Sequence, residues 1–492
     1  MALFSTAIKR TLLSTLPTKH HSLSTAWSSA PPSDQTLVSA AVSILKHHRS
    51  KSRWNHLRTL TPTAGFSPSQ VSQITLQLRN NPRLALRFFQ FTLQHSLCSH
   101  SLSSYATIIH ILSRSRLKSH AQTLIQSAIR KFQDTHLFDS SDPPPIFETL
   151  IRTYRACDSA PFVFELLIKA CLESKRIDQS IQIVRMLRSK GIHPRISTCN
   201  SLIESIIKIQ GCYAGYDMFR EVFGLDGESG NDNGSRVKGV VPNVYTFSII
   251  MVGFYRDGLV EDVEKVWSEM ANMNYEPNAY CHSVLMEAYC DDGRIEDAMS
   301  VWEEMGFKGV KHDVVSYNTI IGGFCRIGEM GRAEEFFREM ELSGGVDGTC
   351  VTFEHLINGY CKIGDVDSAI LLYKDMCRKG FRPESSTIDA VIRGLCDKNS
   401  VSEALDFLRV AVKKHDIVPK GKSYEGLIKG LCLEGRMEEA LKLQREMIGK
   451  GYEPNSEIYF AFIDGYTKKG NKELAKKLRK EMLETRTPQE ES

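Results

Sequence analysis

The stretch Val314–Cys325, VVSYNTIIGGFC, decides the fold because it recurs along the chain. Cys350–Cys361 reads CVTFEHLINGYC, Ser385–Cys396 reads SSTIDAVIRGLC and Gly421–Cys432 reads GKSYEGLIKGLC, at intervals of 36, 35 and 36 residues. Each copy runs on through a turn glycine into a second helical pattern, as in RIGEMGRAEEFFREM (326–340) and LEGRMEEALKLQREM (433–447). Self-similarity at a fixed period of this length marks a repeat architecture.

Numbered within a copy, the apolar residues at positions 4, 7, 8 and 11 (Tyr317, Ile320, Ile321 and Phe324) form one stripe of a helix. Glycine at position 15 predicts a left-handed cap at Gly258, Gly293, Gly328, Gly364, Gly435 and Gly470. Alanine at position 20 (Ala298, Ala333, Ala369, Ala404, Ala440 and Ala475) allows close helix approach, and methionine at position 27 closes the face of the second helix. Proline near the end of a copy, as at Pro277, Pro383 and Pro454, stops further helix. One such hairpin cannot bury its apolar faces alone, whereas stacked neighbours can. The expected fold is all-α, a solenoid of antiparallel helix-pair repeats of about 35 residues.

The parse places nine repeats at 161–195, 196–243, 244–278, 279–313, 314–349, 350–384, 385–420, 421–455 and 456–490. The second is lengthened by GLDGESGNDNGSRVKG (224–239), which reads as a solvated loop. Residues 67–160 read as degenerate repeats with a lone helix after Pro144, 34–66 as a linker or N-terminal flank, and ETRTPQEES (484–492) as a polar tail.

Residues 1–60 hold eight Lys and Arg against the single acid Asp34, a net charge of +7. The rest of the chain has 54 basic and 57 acidic residues, a net charge of −3. Bulk attraction to a polyanion is therefore weak, and any nucleic-acid binding must come from placed contacts. Residues 1–33 lack acids and are rich in Ser, Thr, Ala and Leu, with Phe4, Ile8 and Leu12 at helical spacing beside Lys9 and Arg10. This is the composition of an organelle transit peptide, with the mitochondrion favoured and the plastid as the alternative. No apolar run approaches the ~20 residues of a membrane span.

With the period, GYEPN (451–455), YNTIIGGFC (317–325) and EEALKLQREM (438–447) in view, the chain resembles the pentatricopeptide-repeat family over residues 67–490. It resembles the P subfamily of the plant organellar type. The close alternative, the 34-residue tetratricopeptide type, lacks the terminal Pro-Asn or Pro-Glu and the Asn or Ser at position 5. The resemblance implies a right-handed superhelical solenoid that binds single-stranded organellar RNA selectively by sequence. Such a protein acts by occupancy in transcript processing, stability, splicing or translation.

The resemblance assigns base reading to position 5 and the last residue of a repeat, and base wedging to position 2. Carried onto this chain, the reading pairs are Asn200 with Asn243, Ser248 with Asn278, Ser283 with Asp313, and Asn318 with Thr349. The wedges are Tyr245, Tyr280, Val315 and Val351, each able to pack on a base face. Ser197 departs from that pattern. The acceptor-only carboxylate of Asp313 suits the N1–H and N2–H of guanine, and the two-sided amide of Asn278 suits adenine. Small serines leave room for a purine, whereas Asn200 and Asn318 favour pyrimidines. The expected target is thus pyrimidine–A–G–pyrimidine. Arg326 and Lys362, at position 13, are candidate phosphate contacts. Glu165/Arg195, Glu354/Glu384, Asp389/Lys420 and Glu425/Asn455 do not read as base-selecting pairs.

The cysteines at position 12 (Cys290, Cys325, Cys361, Cys396 and Cys432) read as packing residues, one per repeat, and not as a metal row. No His-x-Glu or Cys-x-x-Cys occurs, so the zinc deaminase signature is missing from the sequence. No cofactor, metal site or catalytic residue is expected, and the chain reads as a binder, not an enzyme. The alternative function is a protein-interaction scaffold such as an organellar ribosome-associated component, with RNA-processing or ribosomal proteins as partners.

Overall fold

The structure, a computed structural model, describes residues 32–47, 54, 56–60, 65–132, 144–225, 240–342, 345–415 and 419–486. All regular secondary structure among them is helical. The chain forms two compact units, residues 1–253 and 254–492, and the helix Val244–Arg256 runs across the division.

In the second unit, the first helices of successive pairs are Ala279–Asp291, Val314–Ile327, Cys350–Lys362, Ser385–Asp397, Gly421–Leu433 and Ser456–Lys468. A turn of two or three residues leads each into its partner: Ile295–Phe307, Met330–Leu342, Val366–Arg378, Val401–His415, Met437–Gly449 and Lys472–Arg486. Each first helix packs on its own partner and on the next first helix. The expected stripe is buried, as at Tyr317, Ile320, Ile321 and Phe324. So are the position-20 alanines and the methionines Met305, Met340, Met376, Met447 and Met482. The last helix runs to Arg486, so the segment read as a tail begins inside a helix.

The first unit holds the pairs Pro68–Gln77 with Pro82–Gln94, Leu102–Arg114 with Lys118–Lys131, Phe162–Glu173 with Ile177–Ser189, and Ile196–Gln210 with Cys212–Phe223. A single helix, Pro145–Thr153, packs on Leu102–Arg114. Buried His110 is fixed there, its Nε2 lying 3.0 Å from Thr153 Oγ1 and its other ring nitrogen against Ser159. Burial pushes its pKa down to about 3, so the ring is neutral at pH 7. The segment read as a linker is structured: Pro32–His47 and His56–Leu60 are helices, and Val38, Ala41, Leu45, Trp54 and Leu57 are buried. The transit-peptide reading of residues 1–33 and the loop reading of 224–239 fall, almost entirely, outside the described residues.

The turns follow from backbone sterics. Gly258, Gly293, Gly328, Gly364, Gly435 and Gly470 all have φ between +72° and +86°. The residue after such a cap donates to the carbonyl five residues back: Arg294 to Tyr289, Asp365 to Tyr360, and Arg436 to Leu431. This bond satisfies carbonyls left over at the helix end. Where the repeat lacks glycine, Lys175 (φ +57°) and Asn399 (φ +59°) take the same conformation.

A second glycine position, the tenth, sets the spacing between repeats. A Cβ on Gly359 would lie 2.6 Å from Met330 Sδ and 2.8 Å from Cys325 Cβ. On Gly394 it would lie 2.8 Å from Val366 Cγ2, on Gly430 2.6 Å from Val401 Cγ2, and on Gly465 2.7 Å from Met437 Sδ. Each glycine therefore seats against position 17 of the preceding repeat, and Gly359 also seats against that repeat's position-12 cysteine. Gly359→Ala is expected to destabilise the protein by about 1–3 kcal/mol through overpacking, less a helix-propensity gain of up to about 1 kcal/mol. Gly331→Ala, at a helical position with nothing within 4 Å, is expected to stabilise it by up to about 1 kcal/mol. Opposite shifts in thermal melting check the pair.

Candidate nucleic-acid interface

The last residue of a repeat is the N-cap of the next first helix. Asn278 Oδ1 accepts from the Cys281 N–H at 3.0 Å, and Asp313 Oδ1 from the Ser316 N–H at 2.9 Å. Asn243 Oδ1 accepts from the Thr246 N–H at 2.9 Å, and Asn455 Oδ1 from the Ile458 N–H at 3.1 Å. Asn and Asp stand here partly because a helix start leaves N–H groups that a short side-chain oxygen satisfies. Asn243, Asn278 and Asp313 remain exposed, and Thr349 is half-buried.

Position 5 lies deeper. Asn200, Ser248 and Ser283 are 4%, 2% and 2% exposed, and Asn318 is half-buried. Asn200, Ser248 and Ser283 are too deeply buried to meet a ligand unaided. Asn318 Nδ2 donates to Thr349 Oγ1 at 3.3 Å, so this sequence-paired couple is in contact. Ser248 donates to Tyr245 O of its own helix at 2.9 Å. Ser248 belongs to the first unit and Asn278 to the second.

The sequence reading missed position 3 of the first helix. Its hydroxyl links position 5 of the preceding repeat to the cap residue between them. Thr246 Oγ1 lies 2.9 Å from both Asn200 Oδ1 and Asn243 Oδ1. Ser316 Oγ lies 3.1 Å from Ser283 Oγ and donates to Asp313 Oδ1 at 2.9 Å. Thr352 Oγ1 donates to Asn318 Oδ1 at 2.6 Å and accepts the Thr349 N–H at 2.9 Å. A hydroxyl recurring at position 3 (Thr246, Ser316, Thr352, Thr387 and Ser423) was the available sequence signal.

The wedge positions stand out by exposure. Tyr245 is 56% exposed, Tyr280 50%, Val315 51% and Val351 47%, although each neighbours a buried stripe. The candidate phosphate contacts are already engaged. Arg326 Nη1 pairs with Asp291 Oδ1 at 3.1 Å, and Lys362 Nζ donates to the Arg326 carbonyl. A phosphate at Arg326 would have to compete with Asp291.

The pairs that did not read as base-selecting are bonded internally. Arg195 Nε meets Glu165 Oε1 at 3.1 Å, and Asn455 Nδ2 donates to Glu425 Oε2 at 2.8 Å. Glu354 Oε1 accepts the Glu384 N–H at 3.2 Å, and Asp389 Oδ1 accepts the Lys420 N–H at 3.3 Å. Burial pushes the thiols of Cys290, Cys361 and Cys396 up to about 11 and those of Cys325 and Cys432 to about 12. Thiols so held are poor nucleophiles and poor metal ligands. Among the described residues no group of three or more His, Cys, Asp or Glu is placed to hold a metal ion, and no helix is long and apolar enough to cross a membrane.

This geometry defines a helical-repeat protein with exposed hydrogen-bonding caps at Asn243, Asn278, Asp313 and Asn455. Sequence patterns described as "PPR repeat family" match residues 242–291 and 349–397. Those described as "PPR repeat" match 308–341, 418–448, 280–310 and 461–485. Pentatricopeptide repeat-containing protein At2g15980 of Arabidopsis thaliana is 54% identical over 241 residues, which is 49% of this chain and 48% of that protein. The Arabidopsis thaliana protein named "Pentatricopeptide repeat-containing protein At4g26680, mitochondrial" is 26% identical over 167 residues, 34% of this chain and 30% of that protein. The chain thus spans less than half the length of the curated relatives it matches. Among solved structures, the pentatricopeptide repeat protein PPR10 from maize is 15% identical at a TM-score of 0.39, covering 92% of this chain and 79% of that one. PPR10 in complex with an 18-nt psaJ RNA element is 16% identical at a TM-score of 0.41, covering 93% and 75%. The chain carries pentatricopeptide repeats over residues 242–341, 349–397, 418–448 and 461–485.

The cap role separates two effects of changing Asp313. Asp313→Ala removes the acceptor for the Ser316 N–H and is expected to cost about 1 kcal/mol of stability, seen as a lower melting temperature. Asp313→Asn keeps an oxygen in that place and is expected to melt within a few tenths of a kcal/mol of the parent protein. Equal losses in both variants would show that the carboxylate charge, not the cap bond, is what stabilises this turn.

Proposed function

We propose that this protein binds single-stranded RNA selectively by sequence in an organelle, through repeats 196–349. It acts by occupancy in transcript processing, stability, splicing or translation. The observation that carries the proposal is the recurrence of a half-exposed apolar side chain at position 2 (Tyr245, Tyr280, Val315 and Val351) two residues from a polar cap, exposed at Asn243, Asn278 and Asp313 and half-buried at Thr349. Exposed apolar side chains suit stacking against bases, and the caps offer hydrogen bonds to base edges. Asn200/Asn243, Ser248/Asn278, Ser283/Asp313 and Asn318/Thr349 are the proposed reading pairs. Arg326 and Lys362 are the proposed phosphate contacts, Arg326 by exchange of its Asp291 partner. The pentatricopeptide-repeat matches support the RNA reading, and an array read only as motifs of about 35 residues, one of them lengthened by a loop, supports the P subfamily. The protein is proposed to be a binder without catalysis.

A second reading applies to repeats 350–455. Their position-5 acids are engaged with their own terminal residues, and carboxylates facing a polyanion repel it. Those repeats fit protein partners, such as RNA-processing or ribosomal proteins, better than bases.

The acid-free residues 1–33 support organelle import, and some relatives are named mitochondrial. A fusion of residues 1–60 to a fluorescent protein is expected to enter mitochondria. A plastid signal would correct the organelle, and a cytosolic one would end the import reading.

Purified protein is expected to prefer single-stranded RNA containing pyrimidine–A–G–pyrimidine over scrambled RNA. Asp313→Asn replaces an acceptor-only group by one that also donates, so the preferred base at that site should move from G towards A. A placed base contact is worth about 1–3 kcal/mol of discrimination, so the shift should reach about tenfold. Loss of affinity for all four bases alike would make Asp313 a cap only, and no RNA binding at all would put the scaffold reading ahead.

A further inference from the structure

We propose that the position-3 hydroxyl of a first helix, at Thr246, Ser316 and Thr352, is a specificity-determining group, because it fixes which face the preceding repeat's position-5 side chain offers to a base. The inference rests on the proposed RNA binding and concerns how one repeat selects its base. In the repeat 314–349, Thr352 Oγ1 lies 2.6 Å from Asn318 Oδ1, and Asn318 Nδ2 lies 3.3 Å from Thr349 Oγ1. The shorter separation fits an O–H···O bond and is below the usual N–H···O range. The longer one accommodates an amide N–H. The amide carbonyl is thus turned inward onto fully buried Thr352, and the NH2 group outward.

Thr352 is held in turn. Its oxygen accepts the Thr349 N–H at 2.9 Å, and its single proton goes to Asn318 Oδ1 at 2.6 Å, a nearer acceptor than Thr349 Oγ1 at 3.2 Å. With the carbonyl engaged and one amide hydrogen on Thr349, Asn318 offers one free N–H donor to a ligand. A base presenting an acceptor is then favoured over one presenting a donor. Without the hydroxyl the amide turns over, and donor and acceptor are offered equally.

The same device stands in other repeats. Buried Thr246 accepts the Asn243 N–H at 3.1 Å and places its hydroxyl 2.9 Å from both Asn200 Oδ1 and Asn243 Oδ1, so its one proton is shared between them. Ser316 gives its proton to the Asp313 carboxylate at 2.9 Å, the stronger acceptor, so it accepts from Ser283 at 3.1 Å. Ser283 then keeps only lone pairs for a ligand. Base choice in this chain therefore depends on three residues, and the third belongs to the following repeat.

The test compares full-length wild-type protein with Thr352→Val and Thr352→Ser. Binding is measured on single-stranded RNAs that vary only the nucleotide assigned to repeat 314–349. Valine keeps the shape and removes the donor, whereas serine keeps the donor. Wild type and Thr352→Ser should discriminate by about tenfold among the four nucleotides, and Thr352→Val by less than about twofold. In all three, preference at the neighbouring nucleotide, assigned to Ser283 and Asp313, should persist. Unchanged discrimination in Thr352→Val, or a uniform loss at both nucleotides, overturns the proposal and makes the hydroxyl structural. If wild type itself shows no preference at this nucleotide, the base-reading assignment fails and takes the inference with it. Should Thr352→Val not fold, Thr246→Val and Thr246→Ser carry the same comparison at the repeat 196–243.

Discussion

The seam between each first helix and the helix pair of the repeat before it is the contact on which the rest depends. At Gly359, Gly394, Gly430 and Gly465 the backbone of one helix seats against position 17 of the repeat before, with no room for a Cβ. Close approach brings the buried stripes of neighbours into van der Waals contact, and interiors packed at this density tolerate few voids. It also explains the cysteines at position 12. A small, weakly polar side chain fits where Cys325 faces Gly359, and Ile207, at the same position, faces Gly253 in the first unit. A repeat that stacks this way contacts only its neighbours, so stability is the sum of local pairs and seams.

The candidate interface is a product of that seam. Stacking one first helix on the next brings its position 3 under position 5 of the repeat before, and sets its N-cap beside both. Asn318, Thr349 and Thr352 meet for this reason, although Asn318 and Thr352 are far apart in sequence. The cap residue thus has two demands on it. Within the reading pairs it accepts from the helix N–H at Asn243, Asn278 and Asp313, a role suited to Asn, Asp, Thr or Ser, and on the proposed RNA reading it must also leave an edge free for a ligand. Asp313 meets both with its two oxygens, since its cap bonds use Oδ1.

The period, the helix pairs, the buried stripe and the position-15 caps were legible in the sequence because each depends on residues within one repeat. What was not legible depends on a neighbour. Gly359 reads as a helix-weakening residue until Cys325 and Met330 are placed against it. The Thr352 hydroxyl reads as ordinary helix-start chemistry until Asn318 appears beside it. The burial of Asn200, Ser248 and Ser283 was missed for the same reason, since polar residues on a helix are usually exposed. Lys175 and Asn399 carry no glycine signal, yet the fold imposes the left-handed turn on them. The helix Pro32–His47 escaped because it lies outside the repeat and next to basic, Ser-rich sequence.

Charge separates the two halves of the array. Residues 61–492 are net negative, so long-range attraction does little to draw a polyanion in. On the proposed RNA reading, affinity would come mainly from stacking and cap contacts, which salt screens weakly compared with phosphate contacts. Such a surface works only where position 5 is neutral. At Asn200, Ser248, Ser283 and Asn318 it is neutral, and the groups that face a base are dipoles. At Glu354, Asp389 and Glu425 a carboxylate occupies the same place, and Glu425 is held ionised by Lys429 and Asn455 despite its partial burial. Removing water from such a group for a base costs more than removing it from an amide. On the proposed RNA reading, the change in position-5 chemistry between repeats 314–349 and 350–384 is where base recognition would give out, with no change in fold.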